Sequence, residues 1–140
     1  MAGTIVADQL EAASTSTLVI KNGVANTPPT IQDSAGTQIG TFCRAWVNFN
    51  GTGTVAIRAS FNVTSITDNG TGDYTANFTN ALPDANFSAI GVCTLNDTIV
   101  AGNTQRGFSP RSYATTSVRF VVTDGGSGVD PLFCNVGIFR

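Results

Sequence analysis

Residues 45–88 read AWVNFNGTGTVAIRASFNVTSITDNGTGDYTANFTNALPDANFS, and this stretch decides the fold. Ala45, Val47 and Phe49 alternate with Trp46 and Asn48. Val55, Ile57, Ala59, Phe61 and Val63 alternate with Ala56, Arg58, Ser60 and Asn62, and Tyr74, Ala76 and Phe78 with Thr75, Asn77 and Thr79. A period of two sends successive side chains to opposite faces of a strand. Between the runs stand Asn50-Gly51-Thr52-Gly53 and Asp68-Asn69-Gly70-Thr71-Gly72-Asp73, residue types that supply the positive φ and local side-chain bonds of tight turns. The reading is a strand over 43–49 hairpinned to one over 55–63, then a second hairpin closing with 74–78. Leu82-Pro83-Asp84 marks the next break.

Toward the C-terminus the same signals return. Residues 87–95 are apolar on both faces, as for a central strand or one covered by a neighbouring subunit. Residues 96–112 are polar, with Arg106, Ser109, Pro110 and Arg111, and read as a long exposed loop. Residues 117–123 are a strand with Val118, Phe120 and Val122 on one face. After a turn over 124–131, Leu132, Cys134, Val136 and Ile138 alternate against Phe133, Asn135, Gly137 and Phe139. Six or seven strands at intervals of roughly ten residues predict an all-β domain over 42–140, a β-sandwich or a jelly-roll-like fold.

Residues 1–41 have a different texture. Ile5, Val6, Leu10, Leu18, Val19 and Ile20 come in small separated groups among Ser, Thr, Ala and Gln. Asn22-Gly23 suits a small hairpin, and Pro28-Pro29 imposes extended geometry. Such a segment buries little by itself, so 1–41 is read as an extended arm for docking or trimerisation. The other reading is an edge strand added to its own domain.

Composition limits the function classes. The chain has 140 residues, 41% of them hydrophobic, with one Lys and one Glu, so helix formers of the long charged kind are nearly absent. The net charge is −2 and the six Arg are scattered, leaving no basic stripe for nucleic acid. No run of eighteen apolar residues suggests a membrane-spanning helix. MAGTIVADQL has no cationic region followed by an apolar core, so the expectation is a protein without a signal peptide, made in a cytoplasm.

Reactive residues are sparse. With no His, the Ser-His-Asp and Cys-His arrangements are unavailable, and Glu11 and the eight Asp fall in stretches that read as arm, turn or loop. The expectation is no enzyme and no cofactor. The loops 68–73 and 124–130 bring Asp and Gly together in a way that suits Ca2+, but Asp-Asn-Gly is first a turn sequence and neither loop has the alternating ligand pattern of an EF-hand. No metal ligand is therefore assigned. Cys43, Cys93 and Cys134 lie far apart in apolar runs and are read as three buried reduced thiols, a disulfide between two being the alternative. Trp46 and Tyr113 are aromatics suited either to stacking on a glycan or to a subunit interface.

The segments AWVNFNGTGTVAIR, SFNVTSITDNGTGDYTANF and ALPDANF resemble a β-domain that recurs in structural and tail-fibre-type proteins of tailed bacteriophages, above all those of cyanobacteria and other marine bacteria. GTIVADQL and IQDSAGTQIG are similar, less distinctively, to the openings of small phage virion proteins. The resemblance implies a virion structural protein, a homotrimer whose β-domain is a fibre tip or a surface knob. A fibre needs a shaft, for which this chain has no repeat; a capsid decoration (cement) protein needs only a knob and an arm. The expectation is therefore a homotrimeric decoration protein on the capsid exterior. Its arm residues Ile5, Val6, Leu10, Leu18, Val19 and Ile20 would dock on the major capsid protein, with no nucleic-acid or membrane partner. The alternative is a tail fibre tip or receptor-binding protein that grips a host surface glycan through Trp46, Tyr113 and the 96–112 loop.

Overall fold

The computed structural model describes residues 20, 29–95 and 106–140. Every element in them is a strand, and eight strands of six or more residues make two antiparallel sheets. The first is built from β3 (Cys43–Asn50), β4 (Ala56–Phe61), β7 (Ser88–Thr94) and β11 (Phe133–Phe139), in the spatial order β4-β3-β11-β7. The second contains β5 (Val63–Gly70), β6 (Asp73–Phe78), β8 (Gly107–Ala114) and β9 (Ser117–Asp124). In it β6 pairs with both β5 and β9, and β8 lies on the other side of β9. Short β10 (Ser127–Gly128) folds back on the end of β9 through Gly125-Gly126, both at positive φ. The all-β expectation holds, as a two-sheet sandwich.

The core is the alternation made solid. Ala45, Val47, Phe49, Ala89, Cys93, Cys134, Val136 and Ile138 are buried from one sheet, and Val63, Tyr74, Ala76, Phe78, Val118, Phe120 and Val122 from the other. Between the sheets Phe49 meets Tyr74 edge-on at 5.2 Å, and within the second sheet the Phe120 ring lies tilted against Phe108 at 5.0 Å. Only glycine fits at 91, because a Cβ there would lie 2.7 Å from the Phe108 ring. One end of the sandwich is tied by polar groups. The Tyr74 hydroxyl donates to Asp130 Oδ1 at 2.7 Å, Gly72 N–H donates to the same oxygen at 2.7 Å, and Gly51 N–H donates to the Pro131 carbonyl. Burial, and then the Asp130 carboxylate, push the Tyr74 hydroxyl far above the ordinary tyrosine range.

Three sequence expectations are corrected. The strand predicted over 55–63 is two strands broken at Asn62, which sits at φ 53°. Asn tolerates this left-handed conformation, and its side chain fixes the corner: Oδ1 accepts from Asn80 N–H at 2.7 Å, and Nδ2 donates to the Arg44 carbonyl at 3.1 Å. The chain thereby passes from one sheet to the other. Of the two readings of 87–95 the central strand fails: among the described residues β7 is the outermost strand of its sheet, with a single bridge from Cys93 to Arg106 beyond it. The loop predicted over 96–112 is strand from Gly107 onward, and Pro110 is accommodated because β8 is an edge. Residues 96–105 lie outside the described set.

In the arm region, β1 (Ile31–Gln32) and β2 (Gln38–Gly40) form a small hairpin around a turn in which Asp33 Oδ1 accepts from Ala35 and Thr37 N–H. This hairpin pairs with neither large sheet, and the rest of the segment read as an extended arm, apart from residues 20, 29, 30 and 41, lies outside the described residues. The hairpin predicted at Asn22-Gly23 lies outside the described residues.

Candidate functional site

A half-exposed antiparallel sheet is expected to turn apolar residues inward and polar residues to solvent. The outer face of the β4-β3-β11-β7 sheet departs from that rule. The pairing registers set Phe61, Trp46, Gly137 and Ile90 side by side across the four strands, with Ala59, Asn48, Asn135 and Val92 in the next row. Phe61 is 55% exposed, Trp46 40%, Ile90 56% and Val92 50%, so this face presents large apolar side chains left uncovered among the described residues.

Gly137 shapes the face. Lacking a side chain, it leaves a trough between Trp46 and Ile90, bordered by Phe139, whose ring would lie 3.2 Å from a Cβ placed there. The trough opens into a cavity of about 730 Å3 lined by Trp46, Asn48, Arg58, Ile90, Val92 and Asn135, among others. Its polar groups are few and ordered. Asn48 Nδ2 donates to Asn135 Oδ1 at 2.6 Å, and Arg58 reaches Asn48 Oδ1 at 3.4 Å while its guanidinium lies 4.3 Å over the Phe133 ring. Among the described residues of the lining Arg58 is the charged side chain, and none of them is a carboxylate or a thiol. The arrangement suits recognition by apolar contact, stacking and amide hydrogen bonds.

The predicted site residues fall in separate places. Trp46 stands in the middle of the exposed face. Tyr113 belongs to the other sheet, on β8, where its ring packs at 5.0 Å against buried Phe87. The structure therefore does not join Trp46 and Tyr113 into one glycan site. Of the residues expected from the sequence to dock on a capsid, Ile5, Val6, Leu10, Leu18 and Val19 lie outside the described residues, while Ile20 is exposed. Sequence reasoning did not single out Phe61, Ile90, Val92, Asn48, Asn135 or Gly137. The signal for Ile90 and Val92 was the two-faced apolar run at 87–95, and for the trough, a lone glycine inside the last strand.

Among the described residues no three His, Cys, Asp or Glu side chains gather as a metal site. In the turn loops considered for Ca2+, Asp68 accepts from Gly70 N–H, Asp73 is engaged by both nitrogens of the Arg119 fork, and Asp130 is held by Tyr74 and Gly72. Comparison with protein-family models, curated proteins and solved structures returns no match for this chain.

Proposed function

We propose that this chain is a virion structural protein of a tailed phage, a homotrimeric decoration (cement) protein whose sandwich is a knob on the capsid exterior. The observation that carries the reading is the uncovered apolar face around Trp46, Phe61, Ile90 and Val92. Faces of this kind mark protein interaction surfaces, and the described lining of its trough is mostly apolar, with Arg58 its charged member. The likeness of residues 45–88 to phage β-domains supplies the setting. In this reading three sandwiches pack through the β4-β3-β11-β7 faces. Trimerisation then multiplies weak arm contacts with the major capsid protein, because after one arm binds the others act at high effective concentration. Removing residues 1–20 leaves a folded trimer that no longer cosediments with capsids; full binding by the shortened chain overturns the docking role of the arm.

A second reading has its own observation. Trp46 flanks a trough whose floor holds the Asn48–Asn135 amide pair and Arg58, a set of groups suited to stacking on and hydrogen bonding with a sugar. In that case the protein is a fibre tip or receptor-binding part. Glycan binding by the intact protein that disappears in Trp46→Ala, with self-association unchanged, favours this reading over the first.

A further inference from the structure

Cys93 on β7 and Cys134 on β11 stand directly opposite each other in the antiparallel ladder, both fully buried. Their sulfur atoms are 2.7 Å apart. Unbonded heavy atoms settle at roughly 3.5–4 Å, whereas a sulfur–sulfur bond measures about 2.05 Å, so the pair stands well inside packing distance. The backbone agrees. Directly opposed residues of an antiparallel pair have Cα atoms about 4.5 or 5.5 Å apart, and both spacings lie in the range of about 4.4–6.8 Å that a disulfide bridges. Cys43 has a different setting: it lies on β3 opposite Phe139, and its thiol donates to the Ala45 carbonyl at 3.2 Å.

We propose that Cys93 and Cys134 are a disulfide-forming pair that covalently ties the outermost strand β7 to the centre of its sheet, with Cys43 remaining a free thiol. The oxidant is a low-molecular-weight disulfide such as oxidised glutathione. One cysteine thiolate attacks it, forming a mixed disulfide and releasing one small thiol. The second thiolate then attacks the protein sulfur of the mixed disulfide, closing the Cys93–Cys134 bond and releasing the second small thiol. Two protein thiols have lost two protons and two electrons, and the small disulfide has been reduced to two thiols.

Contact with Cys93 and burial hold the Cys134 thiol above the ordinary cysteine range, and both cysteines are shut away from any dissolved disulfide in the closed sandwich. The bond accordingly closes during folding, before β7 is sealed against the core. Its consequence reaches the exposed face, because β7 carries Ile90 and Val92. Once bonded at Cys93, the strand that presents them cannot peel from β11.

The test uses the full chain, refolded from denaturant in buffer containing oxidised glutathione, then alkylated and digested with trypsin without reductant. Cleavage after Arg and Lys places Cys43 in peptide 22–44, Cys93 in 59–106 and Cys134 in 120–140. The expected result is a 59–106 to 120–140 link that reductant abolishes, and one titratable thiol per denatured chain. The expected Tm falls on reduction by on the order of 10 °C, since the bond closes a loop across a 41-residue separation. Cys43→Ser gives the same link with no thiol left. Three titratable thiols after oxidative refolding, or a link that includes peptide 22–44, overturns the proposal.

Discussion

Replacing Ile90 and Val92 together by Thr keeps β-branching, and so the strand, while removing apolar surface from the outer face. Full burial of an Ile or Val side chain contributes about 1.5–3 kcal/mol. With Ile90 56% and Val92 50% exposed, about half of that remains to be gained when a second copy covers them. The pair is therefore expected to contribute about 1.5–3 kcal/mol to each protomer contact, which corresponds to a roughly 10- to 150-fold weaker association in the double variant. Sedimentation velocity across a concentration series reads this directly against the single-chain mass of 14.5 kDa. Thermal unfolding followed by circular dichroism, on the same samples, confirms that the sandwich persists. A wild-type protein that remains a single chain at every concentration refutes the reasoning, as does a variant that associates as tightly as wild type.

Other perturbations test the fold that presents this face. Asn62→Ala loses the two corner hydrogen bonds and a third from Nδ2 to the Asn80 carbonyl, and must hold a left-handed φ, a cost of about 2–4 kcal/mol in urea unfolding; Asn62→Gly, which tolerates the angle, costs less. Gly72→Ala drives a Cβ to 2.5 Å from the Val122 carbonyl oxygen and the Val129 nitrogen, and is expected to destabilise by about 3 kcal/mol or more. Gly125→Ala, also at positive φ but facing open space, is expected to cost about 1–2 kcal/mol. The Arg119 guanidinium, hydrogen-bonded to Asp73, holds that carboxyl below the usual carboxylate range. A depressed folded-state pKa gives stability that is complete above the unfolded value of about 4 and is lost as pH falls through the folded one. Urea midpoints measured between about pH 2 and 6 are expected to fall in acid, and Asp73→Asn to flatten that fall.

Legibility followed burial. Strands β3, β6, β9 and β11 each bury one face against the other sheet, so period two is written plainly in them. The edges were harder to read. β8 is polar and contains Pro110, which an edge tolerates because one side of its backbone needs no partner. The break at Asn62 was hidden because apolar residues continue at period two through it; only a left-handed angle and hydrogen bonds from distant parts of the chain make the corner. The exposed face was half legible. Trp46 is conspicuous on a mixed strand, yet its neighbours Phe61 and Ile90 come from strands 15 and 44 residues later, and only the registers bring them together across Gly137. Tyr113 was grouped with Trp46 on residue type alone, and sheet topology separates them.

The central claim, a decoration protein on the capsid exterior, is tested most directly by copy number. Quantitative densitometry of purified particles, with the major capsid protein as the internal standard, compares the two bands. The account predicts this chain at hundreds of copies per particle, in simple proportion to capsid subunits. A dozen or so copies would contradict it and assign the protein to the tail.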